Sequence, residues 1–443
     1  MKSIVVKIGS SSVTRSTGPD PVVLTAALDA ALSARSLGWN VILISSGAVS
    51  SGSAYLTRTS DAKPSDRLAA AVGQPFLMNI YRSVAEVSGR HVCQILISAG
   101  DLESPAAISS VCAVLNECAE SGIVPIVNGN DVTDLRGSDN DAVAVGIAVA
   151  SGADRLLLLT DVPGVYDGPR GGAAHLPGLE VSGIRAIPSA GDGTGTGGMR
   201  SKLRAAELAA YNGIQTHIAN ARSPEVIKHC LENKPAGTCI PAAGKRFPAD
   251  TRWISGIALS RGAIVINRAA EESIAAGASL FASGIKKVEG DFRSGDVIEI
   301  RDPSGRLVAR GASRVSAALM NLVRAMRTDE IAIVLTEILG KFLAGNVAAK
   351  PGVAAAGAGA AELADLRLPV RKALAIVASH GYEQTRRLAL ELINLFPAAT
   401  VEAMFDGRQD DGLSRLRDRY AGLSSDLSFV DRRRLVTFPV RSH

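Results

Sequence analysis

The sequence predicts an α/β protein: a three-layer, doubly wound, mostly parallel sheet, followed by a small β-barrel and a small α/β tail. Three observations carry this reading. From Ile4 to Ile218, short β-branched apolar runs alternate with longer helix-like segments. Each of four such helices ends on a glycine that is followed shortly by the next apolar run. After Pro248 the composition changes to short strand-like runs with frequent glycine.

The elements follow in order. Buried strands are expected at Ile4–Ile8, Val41–Ile44, Val92–Ile97, Ile123–Val127, Leu156–Leu159 and Ile214–Ile218. Helices are expected at Pro21–Leu37, Ser65–Val87, Ser104–Ser121, Asp139–Ser151 and Met199–Asn212, with C-caps at Gly38, Gly122, Gly152 and Gly213. Continuous apolar strands separated by helices imply a parallel sheet covered on both faces. Ligands in such sheets bind at the carboxyl ends of strands. Beyond Pro248, strands are expected at Ala263–Asn267, Ser279–Phe281, Ile285–Glu289, Val297–Arg301 and Val308–Ala312, with a hairpin turn at Asp302–Gly305. The domains are therefore expected at 1–248, 254–330 and 362–443, with the Ala/Gly-rich stretch 344–361 as a linker. In the tail, Ala373–Ala378, Thr385–Leu395 and Thr400–Phe405 read as a strand–helix–strand unit. The run Arg432–Arg434 reads as a solvated surface.

Composition narrows the classes. With 443 residues the chain exceeds one ordinary core, so two or three domains are expected. Hydrophobic residues are 47% and charged residues 21%, an ordinary globular balance. A formal net charge of +5 on this length does not by itself argue for nucleic acid. The 5 cysteines form no Cys-x-x-Cys, which argues against a disulfide framework or zinc site and for reduced thiols in a cytoplasmic protein. No stretch of about 18 apolar residues is present to span a membrane, and no signal-peptide pattern opens the chain.

The chemistry is sought just after the strands. The first ends in Lys7-Ile8-Gly9-Ser10, a lysine beside a Gly/Ser turn, which suits phosphate. The second ends in Ser45-Ser46-Gly47-Ala48, a small polar turn into a helix whose free N–H groups can hold an anion, or a plain tight turn. The fourth runs into Asn128-Gly129-Asn130-Asp131 and then Ser138-Asp139-Asn140-Asp141. These amides and carboxylates suit a zwitterionic amino acid, although Asn and Asp also favour turns and caps. The fifth ends in Leu159-Thr160-Asp161, and the loop Gly191–Lys202 is glycine-rich without being a Walker A motif. Together these parts supply positioning and positive charge, which phosphoryl transfer needs. A carboxylate acceptor is already ionised and needs no general base. Mg²⁺ is expected to bridge the phosphates, and no residue is assigned as a metal ligand.

In the order Val6–Ser10, Ser45–Ala48, Ala70–Gln74, Ile126–Asn128, Asp139–Asp141, Leu159–Asp161 and Gly195–Met199, residues 1–330 resemble the amino-acid kinase superfamily, specifically glutamate 5-kinase. The β-rich segment resembles its C-terminal PUA domain, most visibly at Gly284–Val288 and Phe292–Val297. The resemblance implies the amino-acid kinase fold. It implies ATP binding by Lys7, Gly9, Ser10, Thr160, Asp161, Thr196, Gly197, Gly198, Met199 and Lys202. It implies glutamate binding by Ser46, Gly47, Asp131 and Asn140. It further implies that Asp141 orients Lys7 and Lys202, making these three the catalytic set. The product would be γ-glutamyl phosphate, which proline synthesis reduces next. The partners implied are a homo-oligomer and a γ-glutamyl phosphate reductase. RNA is not favoured, although Lys286, Lys287 and Arg293 keep it open.

Three departures from the family pattern stand out. Gly129 replaces a Glu, Ala142–Val145 replaces a polar continuation, and Ser110–Val114 replaces a polar stretch. The nucleotide half is kept while the substrate half has drifted. The alternatives are a kinase for a modified glutamate or another amino acid, and a non-catalytic ligand-sensing or RNA-binding regulator.

Overall fold

A computed structural model describes residues 1–15, 18–58, 63–133, 139–168, 174–187, 198–223, 225–326 and 430–438, with single positions at 331, 334, 338, 384, 387 and 388. Chain contacts divide it into one unit, Met1–Leu259, and a second, Ser260–His443.

The first unit is built on seven strands: β1 Lys2–Ile8, β2 Trp39–Ser45, β3 Val92–Ile97, β4 Val124–Gly129, β5 Arg155–Thr160, β6 Gln215–Asn220 and β7 Thr238–Ile240. Their spatial order is β7-β6-β5-β1-β2-β4-β3. Every pairing is parallel except that of β7 with β6. From β1 the chain first builds outward through β2, then returns to add β5 on the other side. The crevice between the carboxyl ends of β1 and β5 is thus the switch point where such sheets bind ligands.

The principal helices are α1 Pro21–Ala34, α2 Ala48–Leu56, α3 Asp66–Val87, α4 Pro105–Ser121, α5 Asn140–Ala150, α6 Met199–Tyr211 and α7 Val226–Leu231. Four of the N-caps explain where helices begin: the side chains of Asp20, Ser65, Ser104 and Asp139 accept from the first-turn N–H groups. Gly38, Gly122, Gly152 and Gly213 all take positive φ, as the expected C-caps require. The six expected strands and five expected helices are all present, with ends shifted by a few residues. Helix α2 is the helix that the Ser45–Ala48 turn was expected to enter, and strand β7 was not anticipated.

Period-two alternation decides what each face of β1 does. Ile4, Val6 and Ile8 pack with Leu24, Leu28, Leu77, Tyr81 and Leu157 in one core cluster. Lys7 lies one residue out of that phase, so it points to the opposite face, where α5 covers the sheet. Helix α5 is buried from Val143 through Val149, which accounts for the unbroken apolar run that replaces the polar continuation.

The second unit holds a five-stranded, mostly antiparallel sheet: β8 Gly262–Ile266, β9 Ile285–Gly290, β10 Val297–Arg301, β11 Leu307–Ser313 and β12 Val430–Thr437, in the order β9-β8-β10-β11-β12. Only β8 with β10 is parallel. The turn at Asp302–Gly305 is present, with Gly305 N–H donating to Asp302 O at 2.8 Å. Ser279–Phe281 is not a full strand. It contributes a single bridge, Leu280 to Val430. Strand β12 was read from sequence as part of the extension 362–443, and here it pairs with β11 as an edge of this sheet. Val430, Val436 and Phe438 are buried against it. Arg432–Arg434 lies in the backbone of β12. The linker 344–361 and the strand–helix–strand unit of 373–405 fall outside the described residues, except that 384, 387 and 388 are helical.

Candidate active site

The crevice begins with the end of β1. Lys7 is 3% exposed, and its Nζ lies 2.7 Å from Asp141 Oδ1. Asp141 is fully buried in the first turn of α5. Its Oδ2 lies 3.2 Å from Nζ of Lys202, a residue of α6 that is 4% exposed. Two ammonium groups from distant segments thus converge on one carboxylate, away from water. The surplus of one positive charge among these three groups suits a polyphosphate, and the positive end of the α5 dipole adds to the same field.

Behind this charge cluster sits a row of amides and hydroxyls. Asn140 Nδ2 donates to Ser46 Oγ at 2.9 Å and to Asn128 Oδ1 at 3.3 Å. Asn128 Nδ2 donates to Gln74 Oε1 at 2.8 Å, and Gly129 N–H donates to Asn128 Oδ1 at 2.8 Å. Asn140 Oδ1 is buried and has no hydrogen-bond partner among the described residues. A Cβ placed on Gly129 would lie 3.4 Å from that oxygen and 3.6 Å from Asp131 Oδ1.

Ser46 is held in place by a close backbone crossing. Gly47 takes φ +101°, which an L side chain rarely adopts. In α3, a Cβ on Gly73 would lie 1.9 Å from Ala48 O, so α2 and α3 touch backbone to backbone. Ser46 N–H also donates to Ile8 O, at 3.3 Å, tying this turn to the end of β1.

On the β5 side, Gly9 N–H donates to Leu159 O at 3.2 Å, bringing the Gly9-Ser10 turn beside Thr160 and Asp161. Thr160 Oγ1 donates to Asp161 Oδ1 at 3.1 Å. Gly198 caps the start of α6 and Met199 is its first residue. Thr196 and Gly197 lie outside the described residues. The structure thus brings Lys7, Asp141 and Lys202 into direct contact, joins Ser46 to Asn140, and sets Asn140 and Asp131 on either side of the Gly129 position.

Four participants were missed by sequence reasoning. Asn128 belonged to a recognised cluster, but nothing distinguished it from its neighbours. Gln74 closes the stretch Ala70–Gln74 that carries the resemblance, but it was given no role in the site. Asp139 N-caps α5 and accepts from Ser201 Oγ, linking the starts of α5 and α6. Burial, and then the nearby Asp141 charge, raise the Asp139 carboxyl above its ordinary value of 3.8, while Ser201 pulls it back. Among the described residues, no group of His, Cys, Asp and Glu has metal-binding spacing, and no helix is long and apolar enough to cross a membrane.

Comparison with known proteins agrees with this geometry. The profile of the amino acid kinase family matches residues 2–220, and that of the PUA domain matches residues 262–335. A glutamate 5-kinase of Klebsiella pneumoniae is 36% identical over 313 residues, covering 68% of this chain and 84% of its own. A glutamate 5-kinase of Serratia marcescens is 36% identical over 316 residues, with the same coverage of 68% and 84%. One from Synechococcus elongatus is 34% identical over 348 residues, covering 75% of this chain and 95% of its own. With this match extending over most of each relative's length, the chain belongs to the amino acid kinase family and carries a PUA domain after its kinase domain.

Proposed function

We propose that the protein transfers the terminal phosphoryl group of ATP to the γ-carboxylate of L-glutamate, giving γ-glutamyl phosphate and ADP. The buried Lys7–Asp141–Lys202 cluster carries this reading. Family membership implies ATP use. A carboxylate oxygen attacks the γ-phosphorus, the bond from phosphorus to the β,γ-bridging oxygen breaks, and ADP leaves with that electron pair. No proton moves, so the transfer needs no histidine base. Lys7 and Lys202 neutralise charge that spreads over the transferred group, and Asp141 holds both lysines on station. Mg²⁺, when bound with the nucleotide, would supply further neutralisation of the phosphates. Gly9, Ser10, Thr160, Asp161 and the start of α6 at Gly198-Met199 would hold the nucleotide, with Thr196 and Gly197 completing the loop. Ser46, Gly47, Asp131 and Asn140 would hold the amino acid. The product is an acyl phosphate, which hydrolyses readily, so a reductase that consumes it is the expected functional partner, in the cytoplasm.

A second acceptor is favoured by one observation. Gly129, where the family pattern has Glu, leaves space beside Asn140 Oδ1 and Asp131 Oδ1. A glutamate bearing an added substituent would use that space.

The test is ADP release with Mg-ATP and glutamate, with hydroxylamine trapping the acyl phosphate as a hydroxamate. Hydroxamate should form with the native protein and vanish in Lys202→Ala. Folded native protein that binds ATP but forms no hydroxamate from glutamate would overturn the glutamate reading, and substituted glutamates would then be assayed.

A further inference from the structure

We propose that Cys93 and Cys118 are an oxidation site: a peroxide closes them into an intramolecular disulfide that pins an edge strand of the first unit's sheet to the helix covering it. The inference is independent of the reaction proposed above.

Both side chains reach the contact through the ordinary period of their element. Cys93 lies on β3 in phase with Ile95 and Ile97, so the three point to one face of the sheet, and Ile97 is fully buried there. Helix α4 buries Ile108, Leu115 and Cys118, which fall along one stripe of its surface. The two sulfurs meet at 3.3 Å, and both are free thiols. A disulfide bond is about 2.0 Å long, so the sulfurs must close by about 1.3 Å, a distance that side-chain rotation covers. The backbone is fixed on both sides. Cys93 pairs with Pro125 of β4. Cys118 O accepts from Ile123 N–H at 2.9 Å, in the turn that carries α4 into the same β4. No second sulfur pair of this kind occurs among the described residues.

The two thiols differ in access. Cys118 is 4% exposed and Cys93 is half-buried, so Cys93 is the sulfur that a small oxidant reaches. Its thiolate attacks one oxygen of hydrogen peroxide, the O–O bond breaks, and hydroxide leaves to be protonated to water, with sulfenic acid left on Cys93. Cys118 Sγ then attacks Cys93 Sγ, the S–O bond breaks, and a second water departs with the Cys118 proton. Two thiols give up two electrons and two protons, and the peroxide becomes two waters. Burial, and then the Cys118 sulfur beside it, push the Cys93 thiol up to about 12. Thiolate is therefore scarce, and the pair stays reduced until an oxidant persists. The neighbouring sulfur also sets the end point, because it captures the sulfenic acid before further peroxide can carry it to sulfinic acid. Strand β3 is hydrogen-bonded on one side only. The bond to α4 gives it a second anchor and closes a loop of 25 positions, which restricts the unfolded chain.

The experiment uses the full chain, treated with hydrogen peroxide and then with a thiol-blocking reagent. Cleavage after Glu86, Glu103, Glu117 and Glu120 puts Cys93, Cys112 and Cys118 on three separate peptides. Mass spectrometry should find the Cys93 and Cys118 peptides as one linked species, two hydrogens lighter than their sum, which dithiothreitol separates. Cys112→Ser should give the same result. The first unit's unfolding temperature, followed by tryptophan fluorescence, should be about 5–10 °C higher in treated native protein than in treated Cys93→Ser or Cys118→Ala. Folded, treated protein in which both residues remain thiols overturns the proposal. So does Cys93 ending as sulfinic acid, or linked to Cys112 or to a second chain. A linked pair without the rise in unfolding temperature overturns the pinning of β3.

Discussion

Asp141→Asn isolates the charge at the centre of the site, because the two side chains have the same shape and no cavity is made. In the native protein Asp141 faces Lys7 at 2.7 Å and Lys202 at 3.2 Å, with all three side chains at 5% exposure or less. At an effective dielectric of about 20, contacts this short are each worth roughly 5–6 kcal/mol before desolvation and ammonium–ammonium repulsion are charged against them. Removing the charged partner of a buried pair costs about 3–5 kcal/mol net, since the remaining charges stay buried and uncompensated. Salt should restore little of this, because buried pairs are weakly screened. The assay is urea unfolding followed by tryptophan fluorescence. Both tryptophans of the chain, Trp39 and Trp253, lie in the first unit, so the signal reports that unit alone. Turnover measured on the same samples should fall about 10²–10³-fold, as when one stabilising group is lost from a preorganised site. An Asn variant within about 1 kcal/mol of native stability and with native turnover would refute the reasoning, for it would mean that the lysines are held by something else.

Asp139→Asn tests the second buried carboxyl. The folded-state pKa of Asp139 is raised, so the folded protein holds this proton more tightly than the unfolded chain does. That stability is full below the ordinary value of 3.8 and is lost as pH rises through the raised one, so the Asn variant should gain on native protein as pH goes from acid to neutral. Urea midpoints across that range check it, and a constant difference would contradict it. Gly73→Ala puts a Cβ 1.9 Å from Ala48 O and should cost about 3 kcal/mol or more, with a raised KM for the acceptor as the Ser46 turn shifts. Ending the chain before Val430 removes three buried side chains, Val430, Val436 and Phe438, at about 1.5–3 kcal/mol each. Calorimetry should show the second unit's transition lowered or lost while the first unit's stays put.

What the sequence reveals and what it hides follow from range. Lys7 was legible because a lysine that interrupts an apolar alternation at a strand end must leave the core face. The helix caps were legible because glycine and Asn/Asp signals act over a few residues. The convergence of Lys7, Asp141 and Lys202 was legible only through family resemblance, since no local period links residues so far apart. Gln74 was invisible as a site residue because it lies mid-helix and meets Asn128 across 54 positions of sequence. The extent of helix α2 beyond the turn that enters it is not legible, because Ser50, Ser51, Gly52 and Ser53 weaken its helical signal. Gly52 is there to let α3 approach, a tertiary demand that propensity does not record.

The arrival of β12 from so far along the chain also sets a timetable. At a synthesis rate of about 5–20 residues per second, the roughly 120 residues between Ser313 and Val430 take on the order of 6–25 s to emerge. Through that interval β11 has made its ladder with β10 but presents an open edge, and Leu280 waits for its bridge to Val430. The first unit draws every one of its seven strands from residues up to Ile240 and can close while the second is still being made. A nascent chain stalled between Ser313 and Val430 would therefore hold a formed first unit and a second unit whose sheet lacks its last strand, a species that a chaperone able to cover strand edges would recognise.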